Sequence, residues 1–182
     1  LLWGTKKIPK TYGYLGFVPE DGFYLRMVCE EKEPLCIYEA DQDPVYRDSA
    51  MEAFFQFEAE RSRGGREVYV NFEMNANGAL LAAYGESRTY RSYFSPEDMK
   101  EFSCRAVREE DRWSTELRIP VSILDGIYGP LHLGAGSSFT CNFYKISETA
   151  EIEHYASYSP IRSETPSFHL PEFFASAEIV ED

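Results

Sequence analysis

Strict alternation of apolar and polar side chains runs along one stretch of the chain, Tyr69–Asn75. Successive side chains of a β-strand leave opposite faces of a sheet, so Val70, Phe72 and Met74 are predicted to pack into a core. Asparagine is uncommon in strands, and two at alternate positions indicate either a hydrogen-bonded ligand or support for nearby loop backbone. The face opposite the core therefore carries Tyr69, Asn71, Glu73 and Asn75.

Turn residues divide the rest of the chain into short runs of the same kind. Asn77-Gly78 supplies residues that adopt positive φ, which predicts a tight hairpin into a partner strand over residues 79–84. Ser95-Pro96-Glu97-Asp98 has the capping serine, the proline and the first-turn acids of a helix start. This helix would end near Phe102, and another helical turn is expected after Pro120. Further strands are predicted at Phe23–Glu30, Leu35–Glu39, Met51–Glu58, Trp113–Ile119, Phe139–Lys145 and Glu178–Val180.

The number and spacing of these elements define the expected fold. Many short strands with little helix predict an all-β fold, a two-sheet antiparallel β-sandwich of jelly-roll type with one or two short helical turns. The 182 residues contain no repeat, low-complexity tract or long linker, so a single domain spanning residues 1–182 is expected. The 13 tyrosines and 13 phenylalanines fit this assignment, because aromatic side chains favour strands.

Net charge narrows the range of partners. The chain carries 31 acidic side chains against 18 lysines and arginines, a formal net charge of −13. Such a surface repels phosphate groups. Neither nucleic acid nor an anionic membrane surface is therefore an expected partner. No apolar run approaches the ~20 residues of a membrane-spanning helix, so membrane insertion is not expected. No signal peptide is visible, and since Leu1 is not a start residue, secreted, cell-surface and cytoplasmic locations stay open.

The four cysteines leave two alternatives open. Cys29 and Cys36 flank the turn-like segment Glu31-Lys32-Glu33-Pro34, and a two-residue loop at positions 32–33 would place the thiols opposite one another across a hairpin. A disulfide is one interpretation, and free buried thiols are the favoured one. No CxxC pair is present, so a zinc site of the usual kind is not supported.

Three predicted strands share one apolar face and one face with carboxylate, amide or phenol groups. If these strands are neighbours, the polar groups converge on a single sheet surface, beside Arg88 and Arg91 in the segment that follows the hairpin. Guanidinium forks, amides and carboxylates suit the vicinal hydroxyls of a sugar, and aromatic rings suit its C–H face. The alternative is a solvated sheet face with cross-strand pairs. The groups concerned are Glu52, Gln56, Asn71, Glu73, Asn75, Thr140, Asn142 and Tyr144.

Five sequence blocks follow one another in a specific order: DSAMEAFF (residues 48–55), YVNFEMNANGAL (69–80), Trp113 with Ile119-Pro120, NFYK (142–145), and HYASY (154–158) with PSFHLPEFF (166–174). Together they resemble the family 9 carbohydrate-binding modules, particularly the stand-alone family 9-like branch, from about Gly13 to Ile179. The resemblance implies a β-sandwich that binds sugar without catalysis, in the characterised modules at the reducing end of a glucan or xylan chain. In those modules two tryptophans clamp the sugar, polar side chains hold its hydroxyls, and bound calcium is structural.

The resemblance assigns roles to particular side chains. The first clamp tryptophan, six residues before the strand glutamate, falls on Tyr46, and the second falls among Tyr158 and Phe168, so neither ring is a tryptophan here. The implied partner is a carbohydrate, within a larger or multi-protein glycan-utilisation system, and no cofactor is required. The polar set is matched by Glu52, Asn75 and Arg91, with Arg88 as a competitor for the arginine role.

The acidic loop at residues 41–48 is the candidate metal site. Asp41, Asp43 and Asp48 resemble a calcium-binding loop, and their hard carboxylate oxygens suit a hard divalent ion. Three aspartates so close in sequence repel one another unless they are solvated or neutralised. A solvated loop, with part of the charge neutralised by Arg47, is the alternative, because the spacing is not that of an EF-hand.

Two other functions stay open as alternatives. Glu52 and Glu73 could form the carboxylate pair of a glycosidase, which needs an acid and a base or nucleophile at a set separation. The chain has no GxSxG elbow, no phosphate-binding glycine loop and no HExxH motif, so non-catalytic carbohydrate binding is preferred. Related sandwich domains bind haem through methionine and histidine, and the candidates for that role are Met51, Met74, His154 and His169.

Overall fold

The computed structural model of the protein describes residues 1–58, 67–149, 151 and 153–181. Within these residues, eleven β-strands and two short α-helices follow one another along the chain. The strands are β1 (Thr11–Val18), β2 (Gly22–Cys29), β3 (Ala50–Gln56), β4 (Tyr69–Asn75), β5 (Leu80–Gly85), β6 (Arg91–Tyr93), β7 (Arg105–Arg108), β8 (Trp113–Pro120), β9 (Ser138–Ser147), β10 (His154–Ser157) and β11 (Ala175–Glu178). The helices are α1 (Pro96–Glu101) and α2 (Val121–Tyr128).

These strands form two sheets in which neighbouring strands run antiparallel. The smaller sheet has the order β1-β2-β8-β7, and the larger sheet has the order β10-β9-β3-β4-β5-β6, with β11 also paired to β9. The strands with the three polar faces, β3, β4 and β9, are direct neighbours in the larger sheet. The arrangement confirms the predicted two-sheet antiparallel β-sandwich.

The two sheets enclose a core of aromatic and aliphatic side chains. Phe23 of β2 meets Phe55 of β3 across the sandwich, with ring centroids 6.1 Å apart. Full burial of a side chain of this size contributes about 1.5–3 kcal/mol, so this layer dominates the stability of the fold. Alternation identifies the core face correctly in β2, β3, β4 and β8. The core side chains on these strands include Leu25, Met27, Met51, Ala53, Val70, Phe72, Met74, Trp113, Leu117 and Ile119.

The outer face of the larger sheet is partly covered by the two ends of the chain. Leu2 and Ile161 join a second apolar cluster on this face. In the same cluster Phe168 stacks on Tyr144 of β9, with ring centroids 4.3 Å apart. The cover extends over β9 and part of β3, and it leaves a depression over β3, β4 and β5.

Four residues, 76–79, separate β4 from β5, rather than the tight two-residue turn predicted at Asn77-Gly78. Gly78 has a φ of +83°, a left-handed conformation that glycine adopts without strain, whereas Asn77 has no positive φ. Gly78 N donates to Asn75 O at 3.1 Å, and Asn75 Oδ1 accepts from Asn77 N at 3.0 Å and from Ala79 N at 3.2 Å. The Asn75 side chain therefore braces the hairpin from within.

Two of the predicted strands are wrong in whole or in part. Residues 35–39 form no strand, because the N–H groups of Ile37 and Tyr38 donate to the Asp48 carboxylate instead of to a neighbouring strand. Residues 30–49 form a long loop whose one regular element is the 3-10 turn Val45–Arg47. The final strand lies at Ala175–Glu178, so it overlaps the predicted Glu178–Val180 at one residue.

Helix starts follow the sequence pattern closely. Ser95 Oγ accepts from Asp98 N at 3.2 Å with proline at the next position, so α1 begins as predicted. α2 follows Pro120 directly. In the described ranges, neither helix is long and apolar enough to cross a bilayer.

All four cysteines are free thiols, so the structure has free thiols rather than a disulfide between Cys29 and Cys36. Cys29 ends β2, where it lies opposite Thr11 of β1 and Trp113 of β8. The predicted hairpin between Cys29 and Cys36 does not form, since Cys36 lies in the long loop.

Candidate functional site

A cavity of about 540 Å³ opens on the outer face of the larger sheet. Its floor belongs to β3, β4 and β5, and its walls come from the turn at residues 45–47, the β5–β6 segment and the two ends of the chain. The volume lies in the range of pockets that hold small ligands. The floor residues are Glu52, Asn71, Glu73, Leu81 and Ala83. The wall residues are Trp3, Tyr46, Arg88, Arg91, Tyr93, Ile146, Glu148, Glu153, Tyr155 and residues 166–169.

Two glutamates lie side by side on this floor. Glu52 of β3 and Glu73 of β4 are register partners, and the two residues are 2% and 4% exposed. Burial raises the pKa of Glu73 to about 7, and burial together with the neighbouring Glu73 charge raises the pKa of Glu52 well above its ordinary value. Asn71 Nδ2 donates to Glu73 Oε1 at 3.0 Å, while Glu73 Oε2 has no hydrogen-bond partner in the described residues. The pair therefore retains protons near neutral pH and has unused hydrogen-bonding capacity.

Arg91 closes one end of the floor. Its Nη1 donates to Gly85 O at 2.9 Å, and its Nη2 donates to the carbonyl oxygens of Ala83 at 3.1 Å and Tyr69 at 3.3 Å. Nη2 also donates to Asn71 Oδ1, and the guanidinium lies 4.3 Å from the centroid of the Tyr69 ring. Because these contacts occupy its terminal nitrogens, Arg91 contributes shape and positive potential to the cavity rather than a free fork.

A neutral pair of rings stands beside Arg91. His169 Nδ1 lies 2.8 Å from the Tyr69 hydroxyl. Burial, reinforced by the charges of Arg91 and Arg88, lowers the pKa of His169 to about 3. Burial also raises the pKa of Tyr69 to about 12. Imidazole and phenol are therefore uncharged at neutral pH, and they contribute hydrogen bonds and ring surface.

Five of the nine predicted ligand-binding residues line this cavity. Tyr46 is half-buried on one wall, with the Arg47 guanidinium 5.9 Å from its ring centroid. Phe168 contributes only part of its ring, because it stacks on Tyr144 and is 7% exposed. Contact of these residues with a ligand stays a prediction. The five are Tyr46, Glu52, Arg88, Arg91 and Phe168.

Three predicted residues lie on the correct sheet face but under loops, outside the cavity. Asn142 Nδ2 donates to Ser159 O at 3.1 Å, and its Oδ1 accepts from Ser159 N at 2.8 Å. The Tyr144 hydroxyl donates to Phe168 O at 3.1 Å. Asn75 is buried within the β4–β5 hairpin that it braces. The polar groups of all three are used in holding loops to the sheet.

The second aromatic wall differs from the prediction. Tyr158 is 73% exposed and packs against Phe143, away from the cavity. Trp3 and Tyr155 line the cavity instead, and the Trp3 ring centroid lies 5.5 Å from that of Phe168 and 5.8 Å from that of Tyr155. Sequence alternation misses both, since Trp3 precedes the first strand and β10 is only four residues long. The rarity of tryptophan, two in the chain, is the feature that could have identified Trp3.

The aspartates of the acidic loop organise its backbone. Asp48 is fully buried and accepts from the N–H groups of Ile37 and Tyr38, while Asp41 and Asp43 each accept one backbone N–H. Across the described ranges, no three acidic, histidine or cysteine side chains group as a metal-binding set. Calcium at this loop stays a prediction, and the melting temperature with calcium or with a chelator tests it.

A larger cleft of about 800 Å³ adjoins the cavity and shares Trp3, Glu153 and Tyr155 with it. The N-terminal segment forms one side of this cleft. Glu31 lies at its inner end, where its Oε2 is 3.7 Å from Lys145 Nζ. The paired carboxyls, both arginines and Tyr46 line the smaller cavity, which is therefore the better candidate site.

The geometry does not support the two alternative functions. Glu52 and Glu73 project from one floor on adjacent strands, rather than from opposite sides of a space for a glycosidic bond. Met51 and Met74 pack between the two sheets, whereas His169 lies on the opposite face of the larger sheet, so these three do not form a haem-ligand pair. The other candidate, His154, is buried with its Nε2 3.0 Å from Lys145 Nζ.

A β-sandwich with a polar, ring-walled cavity on its larger sheet has the architecture of a carbohydrate-binding module. The chain belongs to carbohydrate-binding family 9, whose model matches residues 17–179. This is a family of binding modules and not of catalytic domains, so the chain is not an enzyme. No curated protein sequence is significantly similar to this chain.

Solved structures share the fold. A candidate carbohydrate-binding protein from Bacteroides uniformis is 24% identical with a TM-score of 0.75, over 94% of this chain and 78% of that one. A family 9 module from Caldicellulosiruptor kristjanssonii in complex with glucose is 12% identical with a TM-score of 0.62, over 97% and 79% of the two chains. The same module in complex with cellotriose gives 11% identity and a TM-score of 0.60 over 97% and 79%.

Proposed function

We propose that the cavity over β3, β4 and β5 binds a mono- or oligosaccharide of the glucan or xylan type. The observation that carries the proposal is the composition of this cavity, which combines an aromatic wall at Tyr46 with a polar floor at Glu52 and Glu73 and a guanidinium at Arg88. A sugar presents an apolar C–H face and several vicinal hydroxyls. Aromatic rings pack against the C–H face, and carboxyl and guanidinium groups form hydrogen bonds with the hydroxyls.

Membership of family 9 supports the ligand class. The related module of Caldicellulosiruptor kristjanssonii is described in complex with glucose and with cellotriose. These two sugars are therefore the first ligands to test, with xylo-oligosaccharides as the second set. A place in a larger glycan-utilisation system belongs to the same proposal, and it is supported only by the family.

Titration calorimetry of the chain with glucose, cellotriose and xylotriose tests this function. We expect saturable binding of at least one of them, with the sugar recovered unchanged. Absence of binding heat and of any melting-temperature shift with all three would contradict the proposal. Release of reducing sugar that disappears in Glu52→Gln would instead favour a glycosidase.

A further inference from the structure

Carboxyl groups outnumber basic groups in the lining of the cavity. Four carboxyl side chains stand against two guanidinium groups, and His169 adds no charge because its pKa is far below neutral. The carboxyls are Glu52 and Glu73 on the floor and the exposed Glu148 and Glu153 at the rim. The guanidinium groups are those of Arg88 and Arg91.

The floor carboxyls have no direct contact with a basic side chain among the described residues, although the charges of Arg88, Arg91 and Lys145 act on them from a distance. In the part of the chain that the structure describes, neither Glu52 nor Glu73 forms an ion pair with a basic side chain. Arg91 has its terminal nitrogens bound to backbone carbonyls and an amide. The ammonium of Lys145 is bound to Ser49 Oγ at 2.7 Å and is paired with a glutamate of the long loop. Arg88 is exposed at the rim.

Ionising both opposed carboxyls would be costly, because like charges directly opposite in an antiparallel sheet destabilise it and a buried charge without a partner is unfavourable. The pair therefore keeps protons near neutral pH. Glu73 Oε2 is buried and has no hydrogen-bond partner in the described chain, on a residue that lines the cavity. A donor for this oxygen can enter from the cavity, and a positively charged donor would also take the place of the retained proton.

We infer that the ligand of this cavity is an amino sugar, a hexose whose ammonium group binds between Glu52 and Glu73. The inference rests on the proposed sugar-binding function and adds the charge class of the ligand to it. An ammonium provides three N–H donors and one positive charge, which matches two adjacent carboxyl groups. Sugars with carboxylate, sulfate or phosphate groups are disfavoured at the same floor, because they bring no positive charge that could replace the retained proton.

A series of four sugars of similar shape tests the inference in the wild-type chain. Glucosamine carries the amine, glucose carries a hydroxyl, N-acetylglucosamine keeps the nitrogen without its charge, and glucuronate carries a carboxylate. We expect glucosamine to bind at least about tenfold more tightly than glucose or N-acetylglucosamine near neutral pH, with glucuronate the weakest. Calorimetry in buffers of different ionisation enthalpy should also show proton release, since the ammonium displaces a proton from the carboxyl pair.

Substitutions locate the source of this preference. Glu73→Gln and Glu52→Gln keep the shape of the side chains but remove the charge, and each should reduce the ratio of glucosamine to glucose affinity towards one. The matched control is Glu110→Gln, at an exposed position in the turn between β7 and β8 of the smaller sheet. It changes the net charge equally and should leave the ratio unchanged, which separates local pairing from the general attraction of a −13 chain for cations.

The outcomes distinguish the inference from the function on which it rests. Binding of glucose with no advantage for glucosamine would overturn the inference and leave carbohydrate binding intact. A glucosamine preference that Glu110→Gln reduces as much as Glu73→Gln would also overturn it, because the preference would then come from net charge. Absence of binding by all four sugars, together with cellotriose and xylotriose, would contradict the proposed function itself.

Discussion

Arg91 shows how one residue can belong to both the fold and the site. Its guanidinium joins carbonyl oxygens of β4 and β5 and lies on the ring of Tyr69, while its side chain closes one end of the cavity. β4 begins at Tyr69 and β5 ends at Gly85, so the guanidinium joins the two strands at one end of their pairing. Replacing Arg91 is therefore expected to destabilise the pairing of β4 with β5, in addition to any effect on ligand binding.

Arg91→Ala should lower the free energy of unfolding by about 2–4 kcal/mol, because it leaves several partly buried acceptors without donors. Urea denaturation measures this loss. The matched control is Arg105→Ala, which removes an exposed ion pair with Glu116 and should cost no more than about 1 kcal/mol. Equal losses in the two variants would show that the Arg91 contacts contribute nothing specific to the sheet.

Tyr46 is the one ring of the predicted clamp that stands half-buried on the cavity wall. Tyr46→Ala should weaken binding of a sugar ligand by about 1–3 kcal/mol, the scale of losing an aromatic anchor. Calorimetric titration measures the change. Tyr158→Ala removes an exposed ring outside the cavity and should leave affinity unaltered. A larger loss in the Tyr158 variant would place the site elsewhere.

At the scale of elements, the long loop at residues 30–49 depends on one buried side chain. The Asp48 carboxylate accepts from Ile37 N and Tyr38 N, and its Oδ2 accepts from Asn75 Nδ2 at 2.9 Å. These bonds tie the loop to the β4–β5 hairpin. The loop also carries Tyr46 to the cavity wall, so its anchoring bears on the site as well as on the fold.

Asp48→Ala should destabilise the chain by about 2–4 kcal/mol, since it leaves buried donors unpaired on two elements. Thermal and urea unfolding measure the loss. Asp43→Ala is the comparison, because that carboxylate accepts a single N–H, from Ala40, at an exposed position, and its loss should cost about 1 kcal/mol or less. Similar costs for the two variants would contradict an anchoring role for Asp48.

Alternation along the chain predicts β2, β3, β4, β8 and β9 well, because each has one face in the core. It fails at residues 35–39, where the run from Leu35 to Tyr38 favours a strand but the backbone N–H groups of Ile37 and Tyr38 donate to Asp48. The pattern of side chains does not reveal that competition. The edge strands β6 and β7 have only three and four residues, too few to show an alternation of apolar and polar side chains, so the sequence pattern does not predict them.

The site is predicted less completely than the fold. Alternation places Glu52, Asn75, Asn142 and Tyr144 on the same outer face of the larger sheet, as the structure does. It gives no information on what covers that face. Residues from distant parts of the chain cover all of these except Glu52, and Trp3 joins the cavity from the other end of the sequence.

At the scale of the whole molecule, the floor carboxyls couple folding to pH. The pKa of Glu73 rises from an ordinary 4.5 to about 7, and that of Glu52 is also raised well above its ordinary value. Between these values the native state binds more protons than the unfolded state, so the free energy of unfolding falls as pH rises. Nearby charges modify the size of the effect. Glu148 raises the pKa of Glu52, and Arg88 and Lys145 lower it. Arg91 and Arg88 lower the pKa of Glu73.

Glu73→Gln should therefore stabilise the chain near pH 7 by about 1–3 kcal/mol and should flatten the fall in stability between about pH 4.5 and pH 7. Below about pH 4.5 the variant and the wild type should be close, because the carboxyl is protonated in both folded and unfolded states. Urea unfolding across this pH range measures the difference. A variant less stable than the wild type near pH 7 would mean that Glu73 is ionised and paired.

The central claim is that a sugar binds in the cavity over β3, β4 and β5. A crystal structure of the chain soaked with cellotriose and, separately, with glucosamine tests this claim most directly. The account predicts a sugar ring against Tyr46 with its polar groups within hydrogen-bond distance of Glu52 and Glu73. A sugar seated only in the larger cleft along the N-terminal segment, or on the smaller sheet, would contradict it.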